Sequence, residues 1–307
     1  RIVTANQRIT PPGYSHWLGA DWGPPYRAQR IAALLDETPR HSLASFAEIQ
    51  LDQHSTLAER VLPAMLAELQ RPAPAPEALA LLEAWDLETS PEAPAPLIFA
   101  AWLRELSREL YADELGELFE DEWLEKPEFL RNVLSNPAQA HWCDDQRSPE
   151  LESCPAVVTR AWGKAIDYLS QRFGPEPRAW AWGAAHVAHA QHPLLGQVPL
   201  VSRWFNLVNA RGGDSSTVNV GSYWMDEDES AFQNDWGPSF RALYDLGDLE
   251  RSVAITNSGQ SGHVLSPHYR DMNQQWASGR QVPLITQRER VAATAEGTLH
   301  LRPGKSN

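Results

Sequence analysis

No window of 18 consecutive apolar residues occurs in the 307-residue chain, so no segment reads as a membrane-spanning helix. An excess of basic charge is also missing: 26 Lys and Arg face 40 Asp and Glu, a net charge of −14. Such a surface repels polyphosphate and argues against a nucleic-acid partner. Methionine is scarce at 3, and cysteine is limited to a single pair. No internal repeat is evident. The chain opens on Arg1-Ile2-Val3-Thr4 without an initiator Met or a signal-like segment, and reads as a fragment or processed chain. What is abundant is apolar residue, 42% of the chain, with 13 Trp and 24 Pro. That is enough to bury a core and excludes wholesale disorder.

Three zones follow one another. Residues 1–27 are aromatic and punctuated by Pro and Gly, with Ile2–Asn6 predicted as a short strand. Residues 28–175 are helical: Ile31, Leu34 and Leu35, then Leu57, Val61 and Leu62, then Leu79, Leu82 and Leu87 recur at helical spacings. The Pro-Ala tracts 71–76 and 91–96 read as turns between these helices. From Glu105 to Glu128 ten acidic residues alternate with leucines, a pattern predicting a solvated helix face. Residues 176–307 lean to β structure, with strands predicted at Thr217–Val220 and Ser252–Thr256 and a last helix over Tyr269–Ala277. The class is therefore α+β, a β core carrying a large helical insertion.

Chemically capable groupings are few. His186, His189 and His192 would share part of one helix face, and two of them could bind a metal. The Glu of a zincin motif is absent and Pro193 follows at once, so structural histidines are the favoured reading over a metal-dependent hydrolase. Gly213-Asp214-Ser215-Ser216 and Gly259-Gln260-Ser261-Gly262 resemble nucleophile loops only superficially, and tight turns account for both. Asp226–Glu229 lacks the spacing of a calcium loop and reads as a solvated segment. Cys143 and Cys154 flank ten mostly polar residues and are placed for a local disulfide in an oxidising compartment.

The run Gly259-Gln260-Ser261-Gly262-His263-Val264-Leu265-Ser266-Pro267-His268-Tyr269-Arg270-Asp271, with Trp276 and Gly279-Arg280, closely resembles the C-terminal signature of the penicillin acylase (penicillin amidase) family of N-terminal-nucleophile hydrolases. Further blocks agree in order: Ile2-Val3-Thr4-Ala5-Asn6-Gln7-Arg8, Tyr26–Ile31, Ile49–Asp52, Trp85-Asp86, Trp182-Gly183 with His186, His192-Pro193-Leu194 and Gly212-Gly213-Asp214. The resemblance implies a four-layer αββα sandwich, of which this chain would be the C-terminal part of the larger (beta) chain. Zones 1–27 (core strand and active-site loop), 28–175 and 176–307 would together make one incomplete catalytic domain. It implies a self-cleaving precursor whose new N-terminal serine, upstream of Arg1, forms an acyl-enzyme and hydrolyses an amide. The partners implied are a small N-acylated substrate, an alpha chain and the N-terminal part of the beta chain. Without them the fragment is expected to be inactive.

Two site residues carry over from the resemblance: Asn6 as the oxyanion-hole asparagine and Arg27 as the active-site arginine beside the nucleophile. Trp17, Trp22 and Tyr26 are candidates for the substrate wall, with core packing as their alternative. The family commonly holds a calcium ion through upstream residues. Where a downstream Asp ligand would fall this chain has His16, so neither a metal ligand nor a cofactor is assigned. Family habit and the cysteine pair imply bacterial export to the periplasm or beyond. The reading from a different class is a non-catalytic binding or scaffold protein that keeps the acylase fold.

Overall fold

The computed structural model describes residues 1–119, 126–225 and 230–304. Two compact units divide the chain at residues 238/239.

In the first unit helices follow in quick succession: α1 (Tyr26–Asp36), α2 (Leu43–Gln50), α3 (Thr56–Glu68), α4 (Pro76–Glu83), α5 (Ala95–Leu115), α6 (Pro127–Ser135) and α7 (Cys154–Phe173). The first three leucine periodicities fall on α1, α3 and α4, except that Leu87 lies beyond α4 with a left-handed φ of 69°. Both Pro-Ala tracts lie where a helix is about to begin. Pro76 opens α4 and Pro94 precedes α5, a position where proline's missing N–H costs nothing.

The centre is α5, buried along most of its length and packed on α7. Trp102 and Trp162 meet edge to face at 4.9 Å between rings. Neither indole N–H is left dry: Trp102 donates to the Val158 carbonyl at 3.1 Å and Trp162 to that of Pro74 at 2.8 Å. That satisfaction is what lets tryptophan serve as a core residue here.

The solvated face predicted from Glu105 onward forms only in part: Glu114, Glu117 and Glu128 are exposed, but its start is not. Glu105 is buried beside Arg104, and the Glu109 side chain is 8% exposed, bonded to Arg160 (2.6 Å) and Lys164 of α7. Charge pattern alone could not reveal that α7 supplies these cations, which lets an acidic helix enter a core. Residues 120–125 of that stretch, and the acidic run Asp226–Glu229, lie outside the described residues.

The disulfide between Cys143 and Cys154 is present, with Cα atoms 5.1 Å apart. The loop it closes is pinned to α5, since Gln146 N–H donates to Asp113 at 2.9 Å. Both sulfurs are buried. Replacing both cysteines by serine should destabilise the protein by about 3 kcal/mol, the chain-entropy value for so short a loop. Chemical denaturation of the two forms measures it.

After α7 the chain forms α8 (Trp182–Ala185), β1 (Val187–Ala190), α9 (Ser202–Phe205), β2 (Leu207–Ala210), β3 (Ser222–Tyr223) and β4 (Asn234–Trp236). The strands join in the order β2-β1-β4-β3, with β1 and β4 parallel and the outer pairs antiparallel. Two expected strands are missing. Ile2–Asn6 forms no strand; the isolated bridge Gln7 with Gly23 lies just after it, and Ile2 is 96% exposed. A strand exists by pairing, and no other described segment pairs with this one. Thr217–Val220 is a bend, where the single hydroxyl proton of Thr217 lies within reach of the Asp214 and Asn219 carbonyls, a local bond that competes with a ladder.

The second unit holds the antiparallel sheet β5 (Phe240–Leu243), β6 (Val253–Thr256) and β7 (Val282–Pro283), then α10 (Asn273–Ala277) between β6 and β7, and α11 (Arg288–Thr294). The predicted strand near 253 is β6. The last predicted helix is shorter than Tyr269–Ala277, its first residues being a separate 3-10 turn, Pro267–Tyr269. The signature loop between β6 and α10 closes on itself: Gly259 N–H donates to the Tyr269 carbonyl and Ser261 N–H to that of His268, each at 3.0 Å. A Cβ on Gly259 would strike the His268 carbonyl, so glycine is required there. Among the described residues no helix is long and apolar enough to cross a membrane.

Candidate active site

Asn6 is held by its backbone before its side chain is considered. Its φ of 67° is left-handed, a region asparagine tolerates, and its carbonyl accepts the Gly23 N–H at 2.8 Å. A Cβ on Gly23 would come to 3.3 Å from the Asn6 Cβ, so glycine permits this close pass. The chain then runs through Pro24-Pro25 into the first turn of α1, which carries Tyr26 and Arg27.

Arg27 Nη2 donates to Asn6 Oδ1 at 2.7 Å. A guanidinium has only donors, so this bond fixes the amide's orientation: the oxygen faces Arg27 and the NH2 faces away. Asn6 is exposed, so that NH2 is presented outward as a neutral donor. Arg27 is half-buried, and burial depresses its pKa while leaving it charged. The partner found for this cation is a neutral amide.

A cavity of about 200 Å³ adjoins Arg27, lined also by Pro24, Tyr26, Leu57, Pro127, Ser215 and Ser216. Of the three aromatic candidates, Tyr26 reaches it. The Tyr26 ring is buried under the Arg60 guanidinium (4.2 Å), and its hydroxyl donates to Glu128 at 2.8 Å. Burial and the Glu128 carboxylate push its pKa up to about 12. Trp17 is 84% exposed and Trp22 donates to the Gly19 carbonyl; neither lines the cavity.

Asp214 and the two serines after it escaped the sequence as site builders. Asp214 is buried, and its carboxylate accepts the Ser55 hydroxyl, Ser216 N–H (2.7 Å), Ser216 Oγ–H (2.8 Å) and Thr217 N–H (3.0 Å). Burial pushes its pKa up against these four donors. Ser216 in turn accepts the Leu57 N–H at 2.8 Å through its hydroxyl and Thr56 Oγ1–H at 3.0 Å through its carbonyl. The turn from Asp214 is readable as Asx chemistry, an Asp accepting N–H groups two and three residues on. Its partner Ser55, 159 residues away, is not.

The three histidines do not share a helix face. Pairing of β1 with β2 makes Val187–Ala190 a strand, and this scatters them. His189 is exposed, while His192 Nδ1 accepts the Leu194 and Leu195 N–H groups at 3.2 Å each. His186 is buried, stacked on Trp182 (4.5 Å), with Nδ1 2.9 Å from the Phe232 carbonyl. Burial lowers its pKa to about 3. Among the described residues no three His, Cys, Asp or Glu side chains are grouped to hold a metal, and the three histidines are not brought together. In the signature loop the Ser261 hydroxyl accepts the His263 N–H at 3.1 Å, and the His268 ring is held by Asp271 at 2.8 Å.

Residues 1–293 match the penicillin amidase family. The acyl-homoserine lactone acylase QuiP of Pseudomonas aeruginosa is 30% identical over 92% of this chain, which covers 37% of that protein. The penicillin acylase 2 proenzyme of a Pseudomonas species is 30% identical over 98% of this chain, covering 38% of it. The chain thus spans less than two-fifths of the length of these curated relatives. The thermostable penicillin G acylase of Alcaligenes faecalis superposes over the whole chain with a TM-score of 0.63 at 15% identity, covering 57% of the solved chain. This is a mixed α+β chain with the fold of part of that acylase, and it belongs to the penicillin amidase family.

Proposed function

We propose that this chain is the C-terminal part of the larger chain of an amide hydrolase acting on a small N-acylated compound. The upstream segments would supply an N-terminal serine and complete a four-layer αββα sandwich. The serine oxygen attacks the amide carbonyl, the C–N bond breaks, and the amine leaves with the proton taken by the serine's own α-amino group. Water then hydrolyses the ester and frees a carboxylic acid and the serine. In both addition steps negative charge grows on the carbonyl oxygen, and Asn6 is the donor set to meet it.

The observation that carries this reading is the Arg27–Asn6 hydrogen bond. It turns the amide oxygen toward Arg27, which itself lines the cavity, and leaves the N–H groups on the side away from that cation. The names of the relatives favour an N-acyl-homoserine lactone or a penicillin as the substrate. The buried disulfide supports export to an oxidising compartment, the periplasm or the exterior.

The test uses the complete, processed protein. Incubation with an N-acyl-homoserine lactone and with a penicillin, followed by intact mass spectrometry, should show an acyl adduct on the larger chain's N-terminal residue. Ser261→Ala should leave turnover within about threefold, because that hydroxyl is occupied in its own loop. Loss of turnover in folded, processed Ser261→Ala, with no N-terminal adduct in the parent, would overturn the N-terminal-nucleophile reading.

A further inference from the structure

Part of the cavity wall that Arg27 shares is built unusually for a loop. Ser215 and Ser216 line it, yet Ser216 and its neighbours Asp214 and Thr217 are buried. Their conformation is dictated by a carboxylate acting only as acceptor. Asp214 Oδ1 gathers Ser216 N–H, Ser216 Oγ–H and Thr217 N–H, while Oδ2 takes the hydroxyl of Ser55. Ser55 is the N-cap of α3 and accepts the Ala58 N–H at 3.1 Å. Ser216 Oγ then binds the Leu57 N–H, and Leu57 itself lines the cavity. Asp214 therefore couples two parts of the wall, the Ser215-Ser216 turn and the first turn of α3.

Backbone space adds a second constraint. Gly213 has a φ of 91°, and a Cβ there would strike the Asn219 carbonyl; on Gly212 it would strike the Gln53 side chain and the Thr89 carbonyl. The backbone at this turn is closely packed, and the side-chain bonds to Asp214 act on top of that packing.

We infer that Asp214 is a positioning residue for substrate binding: its buried carboxylate locks the Ser215-Ser216 turn and the start of α3 into one wall of the cavity that Arg27 also lines. This rests on the reading that the cavity beside Arg27 belongs to the acylase site. Asp214 does not itself line the cavity. A wall held this way is pre-organised, and loosening it makes each binding event order the wall anew. The signature is a raised KM with kcat little changed.

The experiment compares Asp214→Asn, Ser55→Ala and Asn6→Ala in the complete, processed protein on N-acyl p-nitroanilides of graded acyl length. Asn at 214 keeps an oxygen for the Oδ1 donors but places an NH2 against the Ser55 hydroxyl. Ser55→Ala removes the same bond from the other side, at a residue that does not line the cavity. Both should raise KM about tenfold on the best substrate while kcat stays within about threefold. A merely structural role would lower the yield of folded enzyme and leave its KM unchanged. If Asp214→Asn fails to fold, Ser55→Ala alone decides. An unchanged KM in the folded variants, with Asn6→Ala impaired as expected, overturns the positioning role alone. An unimpaired Asn6→Ala overturns the reading of the site instead.

Discussion

Asn6→Ala in the complete, processed enzyme should lower kcat by about 10²–10³, a loss of about 3–4 kcal/mol of transition-state stabilisation, with a smaller change in KM. The split follows from when the interaction matters. A planar amide oxygen asks little of the donor, whereas the tetrahedral oxyanion carries most of a charge. Arg27 sharpens the expectation, since it leaves the Asn6 amide a single orientation. Arg27→Ala should therefore impair turnover too, even though its guanidinium points at Asn6, because the amide regains freedom to flip. Steady-state kinetics checks both, with Ser261→Ala as the neutral control. Asn6→Ala with parental kcat would remove the residue from the oxyanion site.

The second large effect is on stability in acid. An unfolded histidine titrates near 6.5, while buried His186 resists protonation down to about 3. Below pH 6.5 the unfolded chain takes up a proton that the folded chain refuses, so the equilibrium moves toward unfolding. The contribution is fully present above pH 6.5 and is lost at about 1.4 kcal/mol per unit as pH falls toward 3. Between pH 7.5 and 4.5 that amounts to about 3 kcal/mol. The stacked Trp182, the edge-on Tyr223 and nearby Arg211 all surround the ring without offering it a negative charge. Asp214, whose raised pKa works in the opposite sense, is common to parent and variant. Urea unfolding of the complete protein at the two pH values should show a markedly shallower loss in His186→Gln. Equal losses would mean His186 is protonated in the fold.

What could be read from the sequence was what is local. Spacing alone was enough for α1, α3 and α4, and the cysteine pair needed only its polar intervening loop. The family was legible because its blocks are contiguous strings. Elements that depend on a distant partner were misread. Ile2–Asn6 has strand composition but the bridge lies one residue on, at Gln7, and the Glu109 side chain of α5 is buried because cations arrive from α7. The Thr217–Val220 error is of another kind. Its β-branched residues favour a strand, but Asp214 and Thr217 bond the local backbone first. At the site, Asn6 and Arg27 came from the resemblance, while Asp214 and Ser55 are brought together by the fold alone.

The bonds that assemble the cavity wall have a kinetic consequence. Ser55 and Asp214 are 159 positions apart, and the Gly213 N–H bonds Thr89 from 124 positions away. Closing a segment of that length costs about 2 kcal/mol more chain entropy than closing the short disulfide loop. Helices such as α5 and α7 form from near neighbours, so the wall is expected to close after the transition state of folding has been crossed. Weakening Asp214 then hardly slows folding and chiefly speeds unfolding. Heat or protease resistance is then expected to fall when the Ser55–Asp214 bond is removed, even where the folding rate is unchanged.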